Sequence, residues 1–172
     1  MQTDLYWIDG PWKGRLAIAA RPRGGDWLED EVRLWREAGL DVIVSLLMPD
    51  EVAEFDLARE AQACREHDVE FISMAIPDRG VPVSRRAVLK LVQTLAERLA
   101  ANKCVAIHCR QGIGRSALLA ACLLVIAGED AETAFRHVRM ARGRPVPDTP
   151  EQQQWVAAFA AELETAGVKD TS

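Results

Sequence analysis

The chain has 172 residues, of which 49% are apolar and 27% charged, a balance that suits one soluble domain with a sizeable core. Its net charge of −5 argues against a general affinity for nucleic acid or for an anionic membrane. The N-terminal residues lack the pattern of a secretory signal and the four cysteines lack the spacing of a disulfide framework or a zinc site, so we expect a cytoplasmic protein without metal or cofactor.

The first half of the chain alternates between strand and helix patterns. Short or continuous apolar runs predict strands at residues 5–8, 15–20, 41–47 and 69–76. Helical periodicity is found at residues 26–39 and 50–68. We expect Asp26 to cap the first of these helices, with Glu29 in the reciprocal capping position and Gly39 at its end. The second is expected to break near Phe55.

The second half of the chain is mainly helical. One core strand is predicted at residues 104–109, and helices are predicted at residues 84–103, 115–127, 130–143 and 149–167. Ser84 and Asp130 are the expected N-caps, and Gly143 ends the third of these helices. Thr149 and Gln152 form a capping box for the last helix. The apolar run at residues 117–127 is too short to cross a bilayer and is predicted to be a buried helix.

This alternation of elements predicts the fold class. Strands that alternate with helices favour an α/β fold with a mostly parallel central sheet flanked by helices. We expect a single domain over residues 1–167, followed by a frayed tail at residues 168–172.

The stretch HCRQGIGRS, residues 108–116, is the richest in chemistry. It joins a core strand to an apolar helix, where unpaired backbone N–H groups and the positive end of the helix dipole favour an anion. Gly112 and Gly114 would allow the required backbone angles and leave room for the anion, while Arg115 offers a planar fork for two phosphate oxygens. Such a positive setting lowers a cysteine pKa from about 8.5 to as low as about 3.5, so Cys109 would attack phosphorus as a thiolate.

These residues match the pattern H-C-x-x-G-x-x-R-[ST], which resembles the active-site signature of the cysteine-dependent protein tyrosine phosphatase superfamily. The order of elements resembles its compact dual-specificity branch. The resemblance implies that Cys109 is the nucleophile, that Arg115 holds the substrate and the transition state, and that Ser116 stabilises the leaving thiolate. It implies further that His108 orients the loop and tunes Cys109 from behind. It also implies that the phosphate is bound by the loop residues Arg110, Gln111, Gly112, Ile113, Gly114 and Arg115.

The same resemblance implies an acid on a separate loop upstream of the nucleophile. Asp78, in the segment AIPDRGVP, lies 31 residues before Cys109 and is our candidate for general acid and then general base. Arg79 is a weaker candidate for a substrate contact. Asp50 is the competing acid, although it suits a helix cap better.

The function of three further groups of residues stays open. Gln152 and Gln153 resemble the glutamine that positions the hydrolytic water in several branches of the superfamily, but they also suit ordinary helix polarity. Four arginines could attract substrate or form a solvated helix face: Arg136, Arg139, Arg142 and Arg144. The cysteines Cys64, Cys104 and Cys122 could take part in redox control, although structural core cysteines are the default.

The sequence therefore predicts a phosphomonoester hydrolase that acts on phosphoprotein, on phosphotyrosine and also on phosphoserine or phosphothreonine. Three alternatives remain: a phosphoinositide or RNA 5′-phosphate phosphatase on the same fold, a non-catalytic phosphopeptide-binding module, and a sulfurtransferase. We expect no nucleic-acid or membrane partner, and the sequence leaves the oligomeric state open.

Overall fold

The central sheet of the computed structural model, which describes residues 4–167, has five strands in the order β1-β2-β5-β3-β4. These are β1 (Tyr6–Ile8), β2 (Leu16–Ala19), β3 (Val42–Ser45), β4 (Glu70–Ser73) and β5 (Val105–His108). β1 runs antiparallel to β2 and every other pair is parallel, so the mostly parallel sheet is confirmed. The predicted frayed tail at residues 168–172 lies outside the described residues.

Helices cover both faces of this sheet. They are α1 (Leu28–Glu37), α2 (Pro49–Glu54), α3 (Glu60–Glu66), α4 (Arg85–Ala100), α5 (Arg115–Ile126), α6 (Ala131–Arg142) and α7 (Pro150–Thr165). A short 3₁₀ helix at Gly25–Trp27 precedes α1. The predicted break near Phe55 is confirmed, because α2 ends at Glu54 and α3 begins at Glu60. In the part of the chain that the structure describes, no helix is long and apolar enough to cross a membrane.

The core has two parts, one on each face of the sheet. The larger packs α4, α6 and α7 around α5, which is buried from Arg115 to Val125. The smaller lies under α1 and α3 and contains the fully buried Trp35. Since α5 is apolar on nearly every face, it can only be stable inside such a core, as its sequence predicted. This packing fixes the N-terminal end of α5 beside the carboxyl end of β5.

The predicted helix ends are mostly confirmed. The side chains of Ser84 and Asp130 accept hydrogen bonds from the N–H groups of the third residues of α4 and α6, and Gly143 ends α6 in a left-handed conformation. The capping box of Thr149 and Gln152 is also present.

Two caps were predicted wrongly. Asp26 lies inside the 3₁₀ helix, and Trp27 is the N-cap of α1 without a side-chain hydrogen bond. The 3₁₀ turn thus moves the N-cap of α1 one residue along the chain, from Asp26 to Trp27. Asp50 lies in the first turn of α2, and Met48 occupies the cap position because Pro49 takes the first helical place.

Candidate active site

A cavity of about 270 Å³ opens at the carboxyl end of β5, above the loop that joins β5 to α5. It is lined by Asp78, Arg79, Cys109, Arg110, Gln111, Gly114, Arg115 and Asp148. Cys109 has only 3% of its surface exposed, yet it contributes to the wall of this cavity. The sulfur is thus shielded from bulk water and still accessible to a ligand that enters the cavity.

The loop leaves its amides available to such a ligand. Within residues 4–167, the backbone N–H groups of residues 111–114 donate to no protein acceptor. On the outside of the loop, the Arg142 guanidinium donates to the carbonyl oxygens of Gly112 (3.0 Å) and Gln111 (3.4 Å). A loop whose carbonyls are held outside while its amides remain unpaired can bind a tetrahedral anion.

Gly112 is required by the shape of this loop. Its φ of 69° is left-handed, and a Cβ added there would lie 2.6 Å from the backbone carbon of Ala19. We expect Gly112→Ala to lower the free energy of unfolding by about 3 kcal/mol or more, because backbone strain adds to a clash with β2. Denaturant unfolding will measure this cost.

Gly128→Ala is the matched control for that variant. Gly128 also has a left-handed φ, 114°, but an added Cβ would meet nothing within 4 Å. Its substitution should cost only about 1 kcal/mol, the strain alone. Equal costs for the two variants would show that the contact with Ala19 does not matter.

Gly114 is not needed for the special backbone angle that the sequence predicted. Its φ is −95°, which most residues can adopt, so no special backbone angle is needed. An added Cβ would instead lie within 2.4 Å of Asp148 Oδ2 and 3.0 Å of Gln152 Oε1. The glycine therefore makes room for the chain that precedes α7, and it brings Asp148 to the cavity, where the sequence had not predicted an acid.

Arg115 is held from α2 by a carboxylate that the sequence analysis missed. Its Nη1 and Nη2 groups donate to Glu51 Oε2 at 2.7 Å and to Glu51 Oε1 at 2.8 Å. Nη1 also donates to the carbonyl oxygens of Ile76 (2.9 Å) and Leu46 (3.4 Å), which follow β4 and β3. Arg115 and Glu51 are both buried, so the guanidinium is fixed before any ligand arrives.

This buried pair keeps both of its partners charged. Burial alone would lower the pKa of Arg115, but the hydrogen bonds from its guanidinium to Glu51 raise it above the ordinary value. Burial alone would raise the pKa of Glu51, but hydrogen bonds from Arg115 and from the Met48 N–H, together with the Arg115 charge, lower it overall. Arg115 thus remains a cation beside Cys109, with part of its charge balanced by Glu51.

Asp78 reaches the cavity from the loop after β4. Its Oδ1 accepts a hydrogen bond from Arg115 Nη2 at 3.1 Å, and its Oδ2 lies 3.7 Å from Arg110 Nη1. Arg79 also lines the cavity, with its Nη1 4.0 Å from Asp148 Oδ1. The structure thus brings Asp78 and Arg79 to Cys109, whereas Asp50 is exposed and does not line the cavity.

Ser116 and His108 flank the nucleophile. The Cys109 Sγ lies 3.3 Å from Ser116 Oγ, and the hydroxyl can donate to the sulfur when it is a thiolate. His108 lies behind the loop, fully buried, with Nδ1 3.4 Å from the carbonyl oxygen of Cys109. Its Nε2 lies 2.7 Å from Glu60 Oε1 on α3, a second buried acid that the sequence analysis did not single out.

The two candidate glutamines lie in different places. Gln152 is buried, and its Oε1 accepts from the N–H groups of Asp148 (3.0 Å) and Thr149 (3.3 Å). Its Nε2 donates to the carbonyl oxygen of Gly80 at 3.0 Å, which links α7 to the loop that carries Asp78. Gln153 is exposed, and neither glutamine lines the cavity.

The remaining candidates lie outside the cavity. Arg136 contacts Glu132 on its own helix, Arg139 donates to the Val146 carbonyl, and Arg142 supports the loop from behind. All four cysteines are free thiols. Burial raises the pKa of Cys122 above its ordinary range, so this thiol stays protonated.

A strand, an anion-binding loop with a cysteine at its start, and a buried arginine that opens the next helix together define a class of protein. This combination is that of the cysteine-dependent protein tyrosine phosphatase superfamily, in its dual-specificity-like form. More particularly, residues 17–129, about two thirds of the chain, match the family Tc-R-P, described as "Polymorphic toxin system, DSP-PTPase phosphatase", and the chain belongs to that family.

Two curated proteins are similar to parts of the chain. Mouse (Mus musculus) protein tyrosine phosphatase domain-containing protein 1 is 34% identical over 113 residues, which cover 60% of this chain and 15% of the mouse protein. Rat (Rattus norvegicus) cyclin-dependent kinase inhibitor 3 is 33% identical over 90 residues, which cover 51% of this chain and 42% of the rat protein. The similarity thus spans less than half of either relative.

Solved structures share the fold over nearly the whole chain. Kinase-associated phosphatase, in a form with its catalytic-site cysteine replaced by serine, superposes with a TM-score of 0.87 and 20% identity, covering 95% of this chain and 97% of that one. PTPMT1 in complex with PI(5)P superposes with a TM-score of 0.73 and 19% identity, covering 88% and 94%. At these identities the likeness concerns the fold.

Proposed function

We propose that the protein hydrolyses phosphate monoesters on phosphoprotein, phosphotyrosine above all and also phosphoserine or phosphothreonine. Membership of a phosphatase family supports this proposal. The observation that carries it is the joint position of Cys109, Arg115 and Asp78 around one cavity. That set provides a nucleophile, an anion-binding cation and an acid within reach of the same bound phosphate.

The first chemical step follows from this arrangement. The phosphate enters the cavity, its oxygens bind the free amides of residues 111–114, and Arg115 binds two of them as a fork. The Cys109 thiolate attacks phosphorus, an S–P bond forms and the ester P–O bond breaks. Asp78 donates a proton to the departing oxygen. For this transfer the substrate must displace part of the contact between Asp78 and Arg115.

The second step regenerates the enzyme. A water molecule attacks phosphorus and passes a proton to Asp78, while the S–P bond breaks and its electron pair returns to Cys109. The Ser116 hydroxyl, 3.3 Å from Sγ, donates to the sulfur as it becomes a thiolate again. We propose that Gln152 contributes by fixing the loop that carries Asp78, through its hydrogen bond to the Gly80 carbonyl. Because Gln152 does not line the cavity, we propose that a lining group such as Asp148 positions the water.

Substitution of Asp78 tests the proton donor. We expect Asp78→Asn to lower kcat by a factor of about 10² to 10⁴ with a phosphotyrosine peptide, because the phenolate then leaves without a proton. The loss should be smaller with p-nitrophenyl phosphate, whose leaving group is a weaker base. Steady-state rates across a series of aryl phosphates will show this dependence on the leaving group.

The rival acid supplies the control. Asp50→Asn should leave both rates unchanged, because Asp50 is exposed and outside the cavity. A loss of activity in Asp50→Asn with none in Asp78→Asn would reverse the assignment.

A second candidate function is hydrolysis of a phosphoinositide. Arg79 and Arg110 line the cavity in addition to Arg115, and they could bind a second phosphate on a lipid headgroup. Against this, Asp78 and Asp148 line the same cavity and would repel a polyanion. We therefore favour the singly phosphorylated protein side chain.

A substrate panel distinguishes the two functions. Phosphotyrosine, phosphoserine and phosphothreonine peptides are compared with short-chain phosphoinositides, in EDTA and with Cys109→Ser as the blank. We expect the highest kcat/KM for a phosphotyrosine peptide. A phosphoinositide that exceeds every peptide tenfold or more would establish the second function instead.

A further inference from the structure

Arg21, in the loop that follows β2, lies beside the cavity. Its backbone N–H donates to the carbonyl oxygen of Arg110, a cavity-lining residue, at 3.3 Å. Its Nη1 group donates to the carbonyl oxygen of Pro22 at 3.1 Å, and within residues 4–167 the guanidinium forms no ion pair. Since an arginine side chain has five N–H donors, most of those of Arg21 remain available to a ligand.

Arg23, two residues further along the same loop, has a different environment. Its Nε and Nη2 groups donate to Glu31 Oε1 at 3.1 Å and 2.9 Å, and Glu31 is fully buried. Arg23 thus has a structural carboxylate partner. Arg21 is also only partly exposed, yet it has no such partner among the residues described. Its charge is therefore not used in an ion pair of the fold.

The ring of Phe55 holds Arg21 next to Arg110. The guanidinium carbon of Arg21 lies 3.9 Å from the centroid of this ring, and that of Arg110 lies 5.0 Å from it. Both distances allow a cation–π attraction. Two cations on one ring repel each other, so an anion that accepts hydrogen bonds from both guanidiniums would be stabilised there.

The carboxylates near Arg110 leave this position open. Glu54 Oε1 lies 3.9 Å from Arg110 Nη2, and Asp78 Oδ2 lies 3.7 Å from Arg110 Nη1. These distances are too long for hydrogen bonds, and Glu54 is exposed to solvent, so the contact with it contributes little. The two acids still reduce the local positive charge. The cluster therefore suits a single carboxylate better than the polyanionic headgroup of a phosphoinositide.

We propose that Arg21 and Arg110, held on the Phe55 ring, form an anion subsite that binds an acidic side chain of the substrate. The proposal rests on the proposed function, since it specifies which phosphoproteins the same cavity would prefer. An extended chain spans about 3.3–3.6 Å per residue, so an aspartate or glutamate one to three residues from the phosphorylated residue can reach the subsite. The loop after β2 is then a determinant of specificity.

Paired peptides test the subsite. Phosphotyrosine peptides of otherwise uncharged sequence carry either aspartate or asparagine at each of the three positions on both sides of the phosphotyrosine. We expect aspartate to lower KM about fivefold relative to asparagine at one or two of these positions, with kcat little changed, because the contact is the same before and during the reaction. This difference should become smaller as the salt concentration is raised.

Arg21→Gln is the decisive variant, because it removes the charge and leaves the backbone contact with Arg110 in place. It should abolish the difference between the aspartate and asparagine peptides. Arg21→Glu should reverse the preference, so that lysine at the same position gives the lower KM. Arg15→Gln is the matched control: Arg15 stacks on Trp7 at 4.0 Å, but it precedes β2, at the end of the sheet opposite the cavity. The aspartate preference should persist in this control.

The outcomes separate this inference from the proposed function. Equal kcat/KM for aspartate and asparagine at every position, or a preference that persists in Arg21→Gln, overturns the subsite while phosphotyrosine hydrolysis stands. A preference lost equally in Arg15→Gln shows a general effect of net charge and also overturns it. If no peptide is hydrolysed and a short-chain phosphoinositide is, the proposed function and the peptide subsite are overturned together.

Discussion

Replacing Cys109 by serine is expected to lower the turnover of p-nitrophenyl phosphate by a factor on the order of 10⁴ or more. The reason is that a serine hydroxyl stays protonated where a cysteine ionises. The side chain that faces the sulfur is the Ser116 hydroxyl, at 3.3 Å, which cannot act as a base for a serine nucleophile. Turnover in the presence of EDTA is the measurement.

Binding and a matched variant complete this experiment. Cys109→Ser should still bind a phosphotyrosine peptide, measured by calorimetry, because Arg115 and the free amides of residues 111–114 remain. Cys104→Ser, which changes a cysteine that does not line the cavity, should retain full activity. Full activity in Cys109→Ser would eliminate the covalent mechanism, and rapid sulfur transfer from thiosulfate without phosphatase activity would favour a sulfurtransferase.

Glu51→Gln is expected to impair both stability and activity. Loss of the carboxylate leaves the buried Arg115 guanidinium without its bidentate partner, which should lower the free energy of unfolding by about 3 kcal/mol. Arg115 is then no longer fixed, and a misplacement of about 1 Å is enough to lower kcat/KM by about 10²-fold. Denaturant unfolding and steady-state kinetics measure the two effects.

The pH dependence of stability is a second test of the Glu51–Arg115 pair. Since the pKa of Glu51 in the folded protein lies below its ordinary value of 4.5, the carboxylate stabilises the fold fully above that value. This stabilisation is lost as the pH falls through the lowered pKa. The difference in stability between the unsubstituted protein and Glu51→Gln should therefore shrink below about pH 4.

Asp50→Asn is the control for Glu51, because it removes the adjacent but exposed charge from the same helix turn. It should change stability by less than about 0.5 kcal/mol. A Glu51→Gln variant as stable and active as Asp50→Asn would show that Arg115 is positioned by its carbonyl contacts alone.

The parts of the site that the sequence predicted are local. Residues 108–116 are contiguous, so a strand, a loop with a left-handed Gly112 and an apolar helix follow from one short stretch. Asp78 is not local to this stretch, and it was predicted from the family resemblance, which implies an acid on a separate loop upstream of the nucleophile. The alternation of apolar runs was likewise enough to predict the mostly parallel sheet.

The missed residues are those that only the tertiary fold brings to the site. Glu51 and Glu60 lie in ordinary helical segments, and nothing in their neighbourhood distinguishes a buried acid from an exposed one such as Glu54. The register of β3, β4 and β5 sets which residues surround Arg115, and sequence alone does not give that register. One signal was available: an arginine at the start of a helix that is predicted to be buried needs a carboxylate partner if it is buried as well.

Because α5 is buried, the candidate active site includes residues of the most protected helix of the fold. Arg115 and Ser116 are its first two residues, and the nine that follow lie in the larger core. Backbone opening there cannot be confined to the surface, so amide exchange in this helix will follow global unfolding rather than local fraying. Heat inactivation and cooperative melting will consequently coincide, and random substitutions that loosen the interior will reduce catalysis in proportion to the folded population.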